Sequence, residues 1–181
     1  MSDIDLRAIN LHWLEQSDPF EDCCLHGGVY LEIEDTILSD GRDSEWTVST
    51  AAFNLLKTLS QNHDVGDQRP LIPHCGHTMW VHKGEPDDLY LGGCDIGIDW
   101  TIEHEPGKVL HKIRDQRVVE TSSDEWRTAV CQFSDSVFEF FMTAWPKRIS
   151  DKDDLKGFEL FMNLWQEHRA KAENDASSSD N

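Results

Sequence analysis

Apolar positions recur along this chain with two different periods, and the change from one to the other divides it. Ile4 and Leu6, then Ile9, Leu11 and Trp13, alternate with polar residues, with one slip of phase between the two runs. Alternation sends successive side chains to opposite faces, so residues 4–13 read as a strand. Glu15–Asp22, built around Asp18-Pro19, reads as loop. Gly27-Gly28 then leads into Val29, Leu31 and Ile33, alternating with Tyr30, Glu32 and Glu34: a half-buried strand with an acidic outer face. The polar run Asp35–Glu45 reads as loop, with a turn at Asp40-Gly41.

Ser49 or Thr50 opens a helical stretch in which Ala52, Leu55, Leu56 and Leu59 share one face. A hydroxyl at a helix start can accept from an orphan amide, which makes either residue the expected cap. His63–Pro73 is loop, and residues 78–82 and 88–91 read as short strands. Ile98, Trp100, Ile102 and His104 alternate with Asp99, Thr101 and Glu103, and Pro106-Gly107 turns the chain into Val109, His111 and Ile113, a hairpin. Val118-Val119 begins another strand. From Ser122 the period changes to three and four, through Trp126, Val130, Phe133, Val137, Phe140 and Ala144, behind a capping box at Ser122–Glu125. That helix stops at Pro146. A last helix follows Ser150, with Leu155, Phe158, Phe161, Met162 and Trp165 on one face, and ends near Arg169. The order predicts an α+β fold: an antiparallel sheet of about five or six short strands, covered by one central helix and two C-terminal helices. Residues 1–171 form a single domain, and 172–181 are a solvated tail.

Composition sharpens this picture. The chain has 181 residues, 38% of them hydrophobic, with seven Trp and eight Phe to fill a core, which excludes an intrinsically disordered chain. No apolar run reaches the roughly 18 residues of a membrane span. The net charge is −19, and sixteen of those nineteen excess negative charges fall in residues 1–106. Nucleic acid and anionic membranes attract cations, so neither is an expected partner. Two explanations fit so lopsided a charge: an acidic bias shared by a whole salt-adapted proteome, or a cationic target. The start MSDIDLRA shows no export signal, and five cysteines with a vicinal pair at Cys23-Cys24 make a poor disulfide framework. Both features favour a cytoplasmic protein with reduced thiols.

Chemistry has one concentrated candidate, His74-Cys75-Gly76-His77, with His82 beyond it. This spacing brings two soft ligands within reach of one Zn²⁺, and Cys23, Cys24 and His26 could add to it. The bland alternative is a turn after Pro73 with its histidines bonded to backbone and Cys75 packed as a small apolar group. Cys75 with a neighbouring His could also be a nucleophilic pair, though the acidic surroundings oppose a thiolate. The acidic turns at 40–43, 85–88 and 95–99 lack the spacing of a Ca²⁺-binding EF-hand loop, and no glycine-rich phosphate loop is present. Beyond a possible zinc ion at His74, Cys75 and His77, no cofactor is expected.

Acids interleaved with tryptophans suggest a docking surface, since Trp supplies desolvated area and acids pair with Arg or Lys. Glu32 and Glu34 on one strand, with Asp99 and Glu103 on another, would form an acidic sheet face. Asp40, Asp43, Glu45 and Trp46 complete the expected partner-binding set, whereas Trp100, in phase with Ile98 and Ile102, belongs to the core. Residues 48–59 (VSTAAFNLLKTL), 71–77 (LIPHCGH), 92–104 (GGCDIGIDWTIEH) and the stretch Phe161–His168 resemble segments of a group of small bacterial proteins with no assigned activity. That resemblance implies a bacterial origin. More loosely, the acidic, Trp-rich composition is similar to that of immunity proteins that neutralise toxin nucleases. The leading expectation is therefore a non-enzymatic protein that occludes a basic partner. The alternatives are a zinc- or cysteine-dependent enzyme centred on His74, Cys75 and His77, and an acidic chaperone or scaffold for a secreted effector.

Overall fold

In the computed structural model, residues 4–66, 69–76, 78–81, 89–113 and 117–179 are described. Strand β1 (Ile4–His12) buries Ile4 and Leu6 and exposes Asp5 and Arg7, as its alternation requires. The slip of phase has a physical form: the register with β2 (His26–Ile33) shifts between Ile9 and His12, where Asn10 takes a positive φ of 51°. An irregularity of this kind turns the side chains after it to a new phase. In β2, Val29, Leu31 and Ile33 are buried while Tyr30 and Glu32 face outward. The stretch after it, expected to be loop, instead contains β3 (Thr36–Asp40), paired antiparallel to β2, before Gly41 turns the chain at φ 72°. A short β4 (Trp46–Thr47) pairs with the start of β2 and completes a four-stranded sheet.

Helix α1 (Val48–Lys57) is buried on nearly all sides, from Val48 to Phe53 and at Leu55 and Leu56. Neither expected hydroxyl caps it. Thr47 holds the cap position without a side-chain capping bond, Ser49 Oγ accepts from the Leu25 amide at 3.1 Å, and Thr50 Oγ1 donates to the Gly76 carbonyl at 3.1 Å. The two hydroxyls serve the segments packed against the helix, because those segments bring buried polar backbone that needs partners.

The chain then forms two small ladders, β5 (Ile72–Pro73) with β8 (Gly97–Ile98) and β6 (Thr78–Val81) with β7 (Leu89–Gly92). The expected hairpin is present as β9 (Thr101–Glu105) and β10 (Lys108–Lys112), turning through Gly107 at φ 77°, and β11 (Val118–Ser122) adds a third strand. Helix α2 (Ser123–Phe141) begins at the capping box: Ser122 Oγ accepts from the Glu125 amide at 3.1 Å, and the Glu125 carboxylate accepts from the Ser122 amide at 3.2 Å. Asp151 Oδ1 accepts from the amides of Asp153 and Asp154 at the start of helix α3 (Lys152–Ser179).

The fold is α+β with three α-helices, as expected, but its strands divide among four small antiparallel sheets among the described residues rather than one. The expected tail is helical through Ser179, and Ala172 is buried. Gly157 lets α3 lie directly on β6, since a Cβ there would fall 1.8 Å from the Met79 carbonyl oxygen. A single apolar cluster joins β1 and β2, α1, the β9–β11 sheet and both long helices, with Trp100, Trp126, Phe133, Phe141 and Phe161 at its centre. No helix among the described residues is long and apolar enough to cross a membrane.

Candidate functional site

The expected acidic face does not form on one sheet. Glu32 lies on β2 and Glu103 on β9, in different sheets, and Glu34 sits in the turn after β2 at φ 51°. Several of these carboxylates have partners within the chain. Glu32 accepts from the Tyr30 hydroxyl at 2.5 Å, Glu103 pairs with Lys112, and Asp40 pairs with Arg42 at 3.5 Å. Asp43 accepts from the Glu45 amide at 2.9 Å, and Glu45 accepts from the Ser44 hydroxyl at 3.3 Å. Asp99 turns inward, with Oδ1 accepting from His63 Nε2 at 2.7 Å and from the Leu71 amide at 3.2 Å. It fastens the loop that carries His63 and the one that carries Leu71 to the start of β9. Trp46 is only 8% exposed and meets His74 edge-on, ring centres 6.1 Å apart, so it is a core residue rather than an exposed anchor.

Two other features concentrate chemistry. The first is a thiol–imidazole cluster of His74, Cys75 and Cys94, whose ligand atoms all lie within 4.8 Å of one another. This group could hold a metal ion. His74 and Cys75 follow β5, and Cys94 follows β7. The two loops converge because β6 and β7 pair, with Thr78 opposite Gly92. The Sγ atoms of Cys94 and Cys75 are 3.0 Å apart, and His74 Nδ1 is 3.4 Å from Cys75 Sγ. The hydrogen bond between the thiols shifts them in opposite directions: Cys94, which also faces the Ile96 amide, is held below the ordinary thiol range, and Cys75 is pushed above it. Gly93 permits the approach, since a Cβ there would lie 2.5 Å from the Cys75 carbonyl oxygen.

The loops themselves are tied down. Thr47 Oγ1 donates to the His74 carbonyl, and Thr50 Oγ1 and Cys24 Sγ both donate to the Gly76 carbonyl. On the other side, the Arg69 guanidinium donates to the carbonyls of Gly93 and Cys94 and to the Tyr90 hydroxyl. Cys94 stands isolated in the sequence, 19 residues beyond Cys75, and only the pairing of β6 with β7 brings the two together. His77 and His82 lie outside the described residues. Cys23, Cys24 and His26 do not join the cluster. Burial drives the Cys23 thiol up to about 11 and Cys24 well above its ordinary value.

The second feature is a cleft of about 700 Å³ between the loop at 16–24, strand β6 and the start of α3. Among the described residues, Asp18, Glu21, Asp22, Asp151 and Asp154 line it, against the guanidinium of Arg148. Asp18 pairs with Arg148, Asp22 accepts from the Cys24 amide, and Asp151 caps α3, so three of the five carboxylates hold the cleft's own walls. Trp80, 50% exposed, also lines it and stacks on Tyr90 across the hairpin, ring centres 5.9 Å apart and planes 11° off parallel. The alternation within β6, Met79 in and Trp80 out, was the available signal for this exposed aromatic. Nothing in the sequence joined the loop at 16–24 to the start of a helix some 130 residues later. Compared with family profiles, curated proteins and solved structures, the chain matches none.

Proposed function

We propose that this is a non-catalytic binding protein that docks a basic segment of another protein in the cleft between residues 16–24, β6 and α3. The observation that supports this reading is the lining: among the described residues, five carboxylates against one guanidinium, in a concavity of about 700 Å³ that also presents an exposed indole. A Lys or Arg side chain entering such a concavity gains charge pairing in a partly desolvated setting and can lie against the Trp80 face, an attraction specific to cations on aromatic rings. The wider charge of −19 adds long-range steering toward a positive partner. A toxin or nuclease domain is the class of partner that fits best, because carboxylates then stand where such a domain holds phosphates. Binding would inhibit it by occlusion.

The test is binding of a Lys/Arg-rich peptide followed by Trp fluorescence at low and high salt. Glu21→Gln with Asp154→Asn removes two carboxylates that the cleft's walls do not use, and the expected result is an affinity at least roughly tenfold weaker with a shallower salt dependence. Glu32→Gln with Glu103→Gln leaves binding unchanged. Affinity that is indifferent to salt, or equal in the two double variants, refutes the reading.

A further inference from the structure

We infer that His74, Cys75 and Cys94 form a zinc site, to which the described residues supply two thiolates and one imidazole. Its donors are soft sulfur and borderline nitrogen, a set that selects Zn²⁺ over the hard cations Mg²⁺ and Ca²⁺. Around a tetrahedral Zn²⁺, ligand distances near 2.3 Å for sulfur and 2.0–2.1 Å for nitrogen put two sulfurs about 3.8 Å apart and sulfur and nitrogen about 3.6 Å apart. The observed separations, 3.0 Å between the sulfurs and 3.4 Å from His74 Nδ1 to Cys75 Sγ, fall short of these by less than an ångström. A modest opening of the two loops therefore makes room for the ion.

The backbone is already arranged for convergence. Cys75 and Cys94 flank the mouth of the β6–β7 hairpin, Gly93 allows its loop to reach the Cys75 carbonyl, and the Ile96 amide faces Cys94 Sγ. Amides directed at ligand sulfurs are a common outer support for metal thiolates. Zn²⁺ displaces the protons of both thiols, which pass to solvent, so binding strengthens as pH rises.

The reduced full-length protein is titrated with Co²⁺ and then with Zn²⁺. A thiolate-to-cobalt charge-transfer band that saturates at one equivalent and is bleached by Zn²⁺ is expected. Cys75→Ser and Cys94→Ser lose the band, His74→Ala weakens binding by roughly 100-fold or more, and Cys131→Ser behaves as wild type. A variant-free measurement guards against misfolding: in the wild-type protein, Zn²⁺ slows alkylation of Cys75 and Cys94, mapped by mass spectrometry, and leaves Cys131 as reactive as before. A reduced wild-type protein without the band, a band that survives in both cysteine variants, or Zn²⁺ that protects neither thiol overturns the inference. Because this readout involves no partner, it stands or falls separately from docking in the acidic cleft.

Discussion

Lowering the pH from 7 to 5 is expected to remove about 2 kcal/mol of stability through His111 alone. His111 is fully buried in β10 beneath α2, its ring edge-on to Trp126 at 4.7 Å between centres. Trp100 Nε1 donates to its Nδ1 at 3.2 Å, so the neutral ring carries its proton on Nε2, which donates to Thr121 Oγ1 at 3.1 Å. A second proton would break the Trp100 bond and place a charge in the core. Desolvation first, and the neighbouring His104 second, lower the His111 pKa from 6.5 to about 4. Above pH 6.5 the ring is neutral in both the folded and the unfolded chain and contributes no pH dependence. As the pH falls through 6.5 the unfolded chain takes up a proton that the folded one refuses. The loss levels off only below pH 4, at about 3 kcal/mol. Carboxylates titrate over the same range, so the measurement compares urea denaturation of wild type and His111→Gln at several pH values, in which their effects cancel. Whatever the variant's stability at pH 7, its curve is expected to fall less steeply on acidification, and the gap to wild type to shrink by about 2 kcal/mol by pH 5. Parallel curves, or a His111 ring resonance that titrates near 6.5, refute the reasoning.

Three further outcomes follow from packing and capping. Gly157→Ala forces α3 away from the Met79 carbonyl and is expected to lower the Tm sharply and alter near-ultraviolet dichroism from Trp80, whereas Ala substitution at exposed Glu159 leaves both unchanged. Phe133→Ala, at a fully buried site, is expected to cost about 3–5 kcal/mol in chemical denaturation. Ser122→Ala removes the side-chain half of the capping box, the bond from the Glu125 amide, and is expected to cost about 1 kcal/mol, with Ser122→Asp recovering most of it.

What the sequence made legible was the structure governed by near neighbours. The alternation of Val29, Leu31 and Ile33, the Pro106-Gly107 turn and the Ser122–Glu125 capping box depend on residues within a few positions of each other, and each formed as read. Strand β3 escaped because its apolar Ile37 faces outward, 56% exposed, and carries no core-facing period. The helical end beyond Arg169 escaped because Ala172 is the one residue there that packs inward among 170–175. For the site, His74 and Cys75 were visible as a short spacing, but Cys94 depended on strand pairing. The acids of 40–45 drew notice as a run, whereas the cleft draws Asp151 and Asp154 from a segment whose charge is nearly balanced. Trp46 looked exposed beside that acidic run and is held inside by β4 pairing to β2.

Arg69 has a leverage that its place outside the thiol–imidazole triangle conceals. On the Cys75 side of that triangle the carbonyls accept from the side chains of Thr47, Thr50 and Cys24, while on the other side those of Gly93 and Cys94 both accept from one guanidinium. Unequal side-chain anchorage means that the reach of one sulfur can be adjusted from one flank alone. Replacing this arginine with lysine would loosen Cys94 while sparing every donor atom, giving a dial for the spacing between the sulfurs rather than a switch.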